Sequence, residues 1–484
     1  MQFNSYIFTL YFLPIVTILY FLLNKARIEM GKILLLAASF IFYTNFDIEI
    51  SKVLIISLAV NILFVKLILK FINPRLQKIG MIFPVVINIS LLLYFKYSDF
   101  AITNINNFLG KEYPLKELIL PLGISFFTFQ QIAYVISVYR KEIQKINVLD
   151  YLIYILYFPK ILMGPLVEPD DFIEQLNNPV LKKIDWNNII WGIKLFSFGL
   201  FKKLMMADTF AMAVSWGYEN FDSTTSMDWI LIMLFYTFQI YFDFSGYSDM
   251  AVGSSLMLNI TLPINFDSPY KAVSVRDFWK RWHISLTKFF TKYIYIPLGG
   301  SRKGKIFTYV NTFIVFLVSG IWHGANWTFI LWGVIYGLLM IFDRVFEKYE
   351  EKIFQPVCWI GTFSIVNVLW LLFRSDSIAQ WVSILKKILL FQNTNFSDKL
   401  AEVFVLPETT FIKDVLHIAK YADGIRGFWM FLILFFAFGI SLIPENNYRN
   451  LKKVSFPVIF LAGIAFTWAV ICMGGESVFV YFNF

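Results

Sequence analysis

Charge is scarce in this sequence. Of 484 residues only 15% are Asp, Glu, Lys or Arg, against 58% hydrophobic and 19% aromatic. With a positive mean hydropathy as well, a soluble globular protein of this length is excluded. Cysteine is nearly missing: Cys358 and Cys472 both lie in apolar stretches, with no CxxC pair, so there is no disulfide framework and no zinc site. Only three histidines occur, which argues against a histidine-built metal centre, and no metal is expected. GxSxG, Walker A, GxGxxG and HExxH motifs are all absent, removing the hydrolase, nucleotide-binding and metalloprotease classes they mark. No polar stretch is long enough to bury a core of its own. The chain therefore reads as one domain over residues 1–484, without internal repeats and with no nucleic-acid partner expected.

What the chain does contain is apolar runs. A membrane span takes about 20 residues, and the windows here allow roughly ten to thirteen, some too short to cross alone and better read as re-entrant or interfacial. The fold class expected is all-α, a polytopic integral membrane protein. Before the first run, which reaches Leu23, there is no basic residue, and no small-residue cleavage site follows it. A cleaved signal peptide is not expected. Lys25, Arg27 and Lys32 follow the run, so the positive-inside rule puts the N-terminus outside. Lys66, Lys70, Arg75 and Lys78 mark a second cytoplasmic loop, the Asn-rich stretch from Ser98 to Glu117 an outside one, and Arg140, Lys141 and Lys145 the next cytoplasmic turn. Tyr151 to Val167 carries Phe158-Pro159-Lys160 and Gly164-Pro165, which break a helix where the freed backbone groups need protein partners.

Between Ile306 and Phe342 only His323 can change charge near neutral pH. Placing an ionisable side chain in hydrocarbon costs several kcal/mol, so such a residue is a functional candidate by default. Arg302, Lys303 and Lys305 precede this run, and Arg344 and Lys348 follow it. Both ends then face the cytoplasm, and the run is a hairpin with Trp322-His323-Gly324 near its apex. Arms of about 16–18 residues measure roughly 24–27 Å, a little short of a 30 Å hydrocarbon core. Imidazole titrates near working pH and is the usual base toward an attacking hydroxyl. The competing reading is a histidine hydrogen-bonded to a neighbouring helix. Around it, Trp322 and the Asn326 amide suggest a shaped turn with a dipole for a developing oxyanion.

Upstream, Val275 to Tyr293 shows apolar residues at helical spacing, with Arg276, Lys280, His283, Thr287 and Thr291 on a polar flank. This pattern predicts one amphipathic helix in the membrane interface. From Lys271 to Lys305 nine Lys or Arg residues face one acid, Asp277, so most of the chain's +9 charge is gathered here. Two readings stand: attraction to anionic membrane lipid, or a landing site, including Lys280, Arg281 and Lys288, for an anionic acyl donor. His283 reads equally as a solvated or lipid-facing residue or as a catalytic one. Because the hairpin separates it from His323, the two are not expected to form a hydrogen-bonded dyad, and His283 is assigned to the cytoplasmic mouth of a cavity. Gln239, Asp243 and Tyr247 fall at i, i+4 and i+8 on one helix face. Structural pairing of the Asp243 carboxylate is the favoured reading over a role in the tunnel.

The stretches Phe278-Trp279-Lys280-Arg281-Trp282-His283, Tyr295-Ile296-Pro297-Leu298-Gly299-Gly300 and Trp322-His323-Gly324-Ala325 resemble the signature of the membrane-bound O-acyltransferase family. Tyr241-Phe242-Asp243-Phe244-Ser245-Gly246-Tyr247 and Pro121-Leu122-Gly123 are similar to its bacterial alginate and peptidoglycan O-acetylating branch. The match is most specific over the core, about 121–345. One departure is Ser137, where the branch often has an acidic residue before Val-Tyr-Arg. The resemblance implies helices ringed around a central funnel, His323 as the catalytic residue and His283 as the second polar position. It also implies a cytoplasmic thioester donor, acetyl coenzyme A or an acyl carrier protein, with no bound cofactor. The acceptor would be an envelope polysaccharide, reached through a periplasmic or extracellular esterase-like partner, and the location a bacterial cytoplasmic membrane. Two alternatives remain: D-alanyl transfer to teichoic acid, and a transporter or flippase without acyl chemistry.

Overall fold

The structure is a computed structural model that describes residues 1–46, 48–350, 353–405, 425–474 and 479. Among these residues every regular element is helical. Eight helices are long and apolar enough to cross a membrane, and with the shorter Ile124–Tyr139 and Phe428–Leu442 they reach the lower end of the range read from the sequence. The chain is a multi-pass membrane protein. His417 and the aromatic end Val480 to Phe484 fall outside the described residues. The rest divide into two compact units.

One unit holds residues 1–199, 247–264 and 451–466. Its helices are α1 (Leu13–Ala26), α2 (Ile28–Thr44), α3 (Ile48–Lys70), α4 (Pro74–Leu109), α5 (Ile124–Tyr139), α6 (Val148–Leu156), α7 (Pro169–Asn177) and α8 (Trp186–Phe201). The start of α4 follows local rules. Asn73 Oδ1 accepts the Arg75 N–H at 2.8 Å, with Pro74 in the first turn where its missing donor costs nothing. Its end corrects the loop expected from Ser98: the helix continues to Leu109 and stops at Gly110, whose φ of 62° suits glycine. The asparagines there serve the helix, with Asn104 Nδ2 donating to the Phe100 carbonyl at 2.7 Å. Side-chain amides tie α3, α4 and α5 together. Asn88 Nδ2 donates to Asn61 Oδ1 at 2.8 Å, and Asn61 Nδ2 to Gln131 Oε1 at 2.5 Å. Polar groups in hydrocarbon must pair this way.

The broken segment after α6 is buried, as its proline and glycine content predicts. Lys160, with no exposed surface, donates to Gln130 Oε1 and the Tyr154 carbonyl, its ammonium 4.1 Å from the Tyr154 ring centre.

The other unit holds residues 200–246, 265–450 and 467–484 as far as they are described. It contains α9 (Asp208–Glu219), most of α10 (Ser226–Leu256), α11 (Val275–Arg281), α12 (Ile284–Phe290), α13 (Lys305–His323), α14 (Trp327–Glu350) and α15 (Gln355–Arg374). From Tyr247 onward α10 belongs to the first unit. It is an interior helix: 83% of its apolar window is buried, against 22% in α4.

The hairpin read from the charge flanks is present as α13 and α14, which pack closely along their length. Glycines permit the approach. A Cβ on Gly333 would stand 2.6 Å from the Phe316 carbonyl oxygen, and one on Gly320 would press on the Phe329 carbonyl and stand 3.0 Å from the Gly333 Cα. Backbone-to-backbone contact through small residues is the usual way membrane helices associate. Gly333→Val should therefore force the arms apart and cost about 1–3 kcal/mol. Thermal unfolding of the purified protein in detergent should register a lower Tm, and an unchanged Tm contradicts the close crossing.

Candidate active site

His323 is the last residue of α13 and is buried. Aromatic rings box it in: Trp322 at 4.8 Å, Phe373 of α15 at 5.1 Å and Trp332 of α14 at 5.2 Å between centroids, all edge-on. After it Gly324 keeps its Cβ position clear, because the Phe329 ring occupies that space. Asn326 has a structural task. Its Oδ1 accepts the Thr328 N–H at 3.0 Å at the start of α14, and its Nδ2 donates to the Asp376 carbonyl at 2.8 Å.

The uninterrupted amphipathic helix expected over Val275 to Tyr293 is corrected by the structure. The segment is α11, a break at Trp282-His283, α12 and then a π-helical turn, Thr291–Tyr295. His283 adopts a left-handed backbone, with φ of 44°, an uncommon conformation for a residue with a Cβ. Asn265 holds the break in place. Its carbonyl accepts the Ile284 N–H at 2.9 Å, and its Oδ1 accepts the Ser285 hydroxyl at 2.5 Å. Periodicity could not reveal this, since the apolar spacing runs through the break.

The break buries His283, 1% exposed, rather than leaving it at an open mouth. Its ring lies 4.7 Å from Phe244 of α10 and 6.5 Å from Trp322. The same Trp322 ring touches His323, so one indole separates two histidines that the hairpin argument had set apart. Burial pushes the His283 imidazole down to about 3 from its ordinary 6.5. It is therefore neutral at physiological pH.

A cavity of about 280 Å³ opens beside this segment. Arg276, Lys280, Thr291 and Arg344 line it, along with the buried Trp279, His283, Phe290, Phe316 and Ser319. Lys280, Thr291 and Arg344 are exposed and Arg276 is half-buried, so positive charge lies at the rim and an aromatic wall lies within. Ser319 stands four residues before His323, on the same face of α13 one turn away.

The remaining predicted residues divide. Lys280 lines the cavity, whereas Arg281 and Lys288 are not among its lining residues. Arg281 Nε instead donates to Asp277 Oδ1 at 2.8 Å. Asp243 has the buried partner that a carboxylate in hydrocarbon needs. Lys203 Nζ stands 2.6 Å from it and 2.8 Å from Asp208. Gln239 is buried one turn before Asp243 in the same unit, but Tyr247 belongs to the other, where its ring stacks on Phe3 at 4.8 Å. Sequence reading did not single out Lys203, Arg276, Ser319, Trp332 or Phe373 as site residues. For Arg276 and Arg344 a signal existed: the first lies on the polar flank of the amphipathic segment, and the second follows the apolar run of the hairpin.

The chain is thus an α-helical membrane protein with a cation-rimmed, aromatic-walled cavity; buried His283 lines it, and His323, which is not among its lining residues, lies beyond the Trp322 ring. Residues 40–373 match the membrane-bound O-acyltransferase family. The chain belongs to that family and is an acyltransferase. It is 34% identical to the peptidoglycan O-acetyltransferase of Helicobacter pylori over 100% of this chain and 97% of that one. A probable alginate O-acetylase of Pseudomonas putida is 34% identical over 78% of each chain. The teichoic acid D-alanyltransferase of Streptococcus thermophilus is 27% identical over 48% of this chain and 59% of its own.

Because the folded His283 pKa lies below the unfolded one, its stabilising effect is full above pH 6.5 and is lost as pH falls toward about 3. His283→Asn should flatten that acid dependence. Melting temperatures measured from pH 7 to pH 4 should fall less steeply in the variant than in the parent, and parallel slopes contradict a buried neutral imidazole.

Proposed function

We propose that this acyltransferase passes an acetyl group from a cytoplasmic thioester to a hydroxyl of a cell-envelope polysaccharide, with His323 as general base. The observation that carries the reading is the cavity. It has cations at its rim and Ser319 on its wall, one helical turn short of His323. Cations suit the phosphates of acetyl coenzyme A or of an acyl carrier's prosthetic group, and apolar walls suit the acyl end.

In the proposed step His323 takes the acceptor hydroxyl's proton as its oxygen attacks the thioester carbonyl. The tetrahedral intermediate collapses, the C–S bond breaks, and the proton passes to the departing thiolate. Products are the O-acetyl ester and the free thiol. His283, neutral and joined to His323 through Trp322, positions the reacting groups. Lys280 serves donor binding directly. Arg281 and Lys288 add to the positive field of the segment, and Asp243, with Gln239 beside it, anchors α10 under the site.

Peptidoglycan is the preferred acceptor, because the named peptidoglycan relative matches the whole chain, whereas the alginate relative matches 78% of it. An exported esterase-like partner could carry the acetyl group onward. The enzyme would sit in the bacterial cytoplasmic membrane with its N-terminus outside, as the basic loops suggest. D-alanyl transfer is the second reading, favoured by the partial match to teichoic acid D-alanyltransferases.

Replacing the base should lower transfer by about 10²–10⁴-fold. Mass spectrometry of envelope glycans should find O-acetylation abolished in cells carrying His323→Ala inserted at parental levels. Retained O-acetylation would sink the assignment.

A further inference from the structure

The cavity rim carries a feature that the transfer reaction does not use. Arg276 lines the cavity, yet its guanidinium is already occupied. Glu347 holds it bidentately: Nη1 donates to Oε2 at 3.1 Å, and Nη2 donates to Oε1. The two side chains are 24% and 52% exposed, so the pair is open to exchange with solutes. One turn before Glu347, Asp343 Oδ2 accepts the Arg276 backbone N–H at 2.5 Å, fixing the start of α11 to α14. The arginine backbone is thereby held while its side chain rests on a replaceable anion. Bidentate arginine recognition serves carboxylate and phosphate alike.

We propose that Glu347 is an internal stand-in for a donor phosphate: it holds Arg276 at the rim until a phosphate of the incoming thioester displaces it. This rests on the reading that the donor enters by this cavity. Glu347 is then a specificity-determining residue. A donor that brings a phosphate compensates for breaking the pair, while an uncharged thioester cannot take the carboxylate's place. The exchange involves no covalent step. In the free protein Glu347 also lowers the net positive charge of a rim formed by Arg276, Lys280 and Arg344, which tempers binding of unrelated anions.

The test measures binding of acetyl coenzyme A, and separately of the uncharged S-acetyl-N-acetylcysteamine, by calorimetry on the full-length protein in lipid nanodiscs. Parent, Glu347→Gln, Glu347→Asp, Arg276→Gln and the double variant Arg276→Gln/Glu347→Gln are compared, each checked for parental Tm. Glu347→Gln should tighten acetyl coenzyme A binding about two- to fivefold, the range for releasing one half-exposed ion pair. The gain should shrink at high salt. Glu347→Asp should return toward the parent. Arg276→Gln should weaken binding, the double variant should match Arg276→Gln, and the uncharged thioester should be indifferent to Glu347.

Weakened or unchanged binding in Glu347→Gln, with Arg276→Gln still impaired, overturns the exchange and leaves the donor-entry reading intact. A Glu347→Gln gain that persists without Arg276 also overturns it. If Arg276→Gln and Glu347→Gln both bind like the parent, the donor does not enter here and both readings fall.

Discussion

A titratable ring inside a bilayer must be enclosed by protein, and that constraint governs this molecule. Hydrocarbon offers no hydrogen bonds and no screening, so at the depth that the hairpin reading gives it His323 could persist only if other side chains surround it. The enclosure is aromatic, from Trp322, Trp332 and Phe373, and it needs α13, α14 and α15 to converge at one level. The Gly320–Gly333 contact brings the first two together. The same requirement appears wherever polarity enters the apolar interior. Asp243 is matched by Lys203, and the amides of Asn61, Asn88 and Gln131 are matched by one another.

How much of this was legible in the sequence depended on whether the signal was local. The hairpin could be read because a long uncharged run lies between two clusters of cations, and orientation follows cation placement. The need of Asp243 for a partner was legible too, although not the identity of Lys203, which comes from a separate π-helical turn (Lys202–Ala207) forty positions away. The break at His283 was not. Apolar spacing continues through it, and the capping group, Asn265, is eighteen residues upstream with no spacing rule to connect them. The end of α4 was misjudged because asparagine usually signals a loop. Here Asn104 bonds back to its own helix.

Two consequences bear on function. Breaking the amphipathic segment moves His283 from a solvated flank into the cavity wall, so cations remain at the rim while the wall inside is largely apolar. Conversely, Arg276 and Glu347 lie seventy-one positions apart, and only the fold brings them together. Sequence alone shows such a pair as two ordinary surface charges. The match over residues 40–373 identifies the chain as an acyltransferase, and the fold adds a physical reason for where its chemistry would lie.

In the proposed reaction one buried base serves a donor and an acceptor on opposite membrane faces. Proteoliposomes with the protein in one orientation test it most directly, with acetyl coenzyme A confined to the face bearing Lys280 and Arg344 and peptidoglycan fragments confined to the other. O-acetylated fragments together with free coenzyme A on the donor side are the expected result. Acetylation only when both substrates share one face would contradict it.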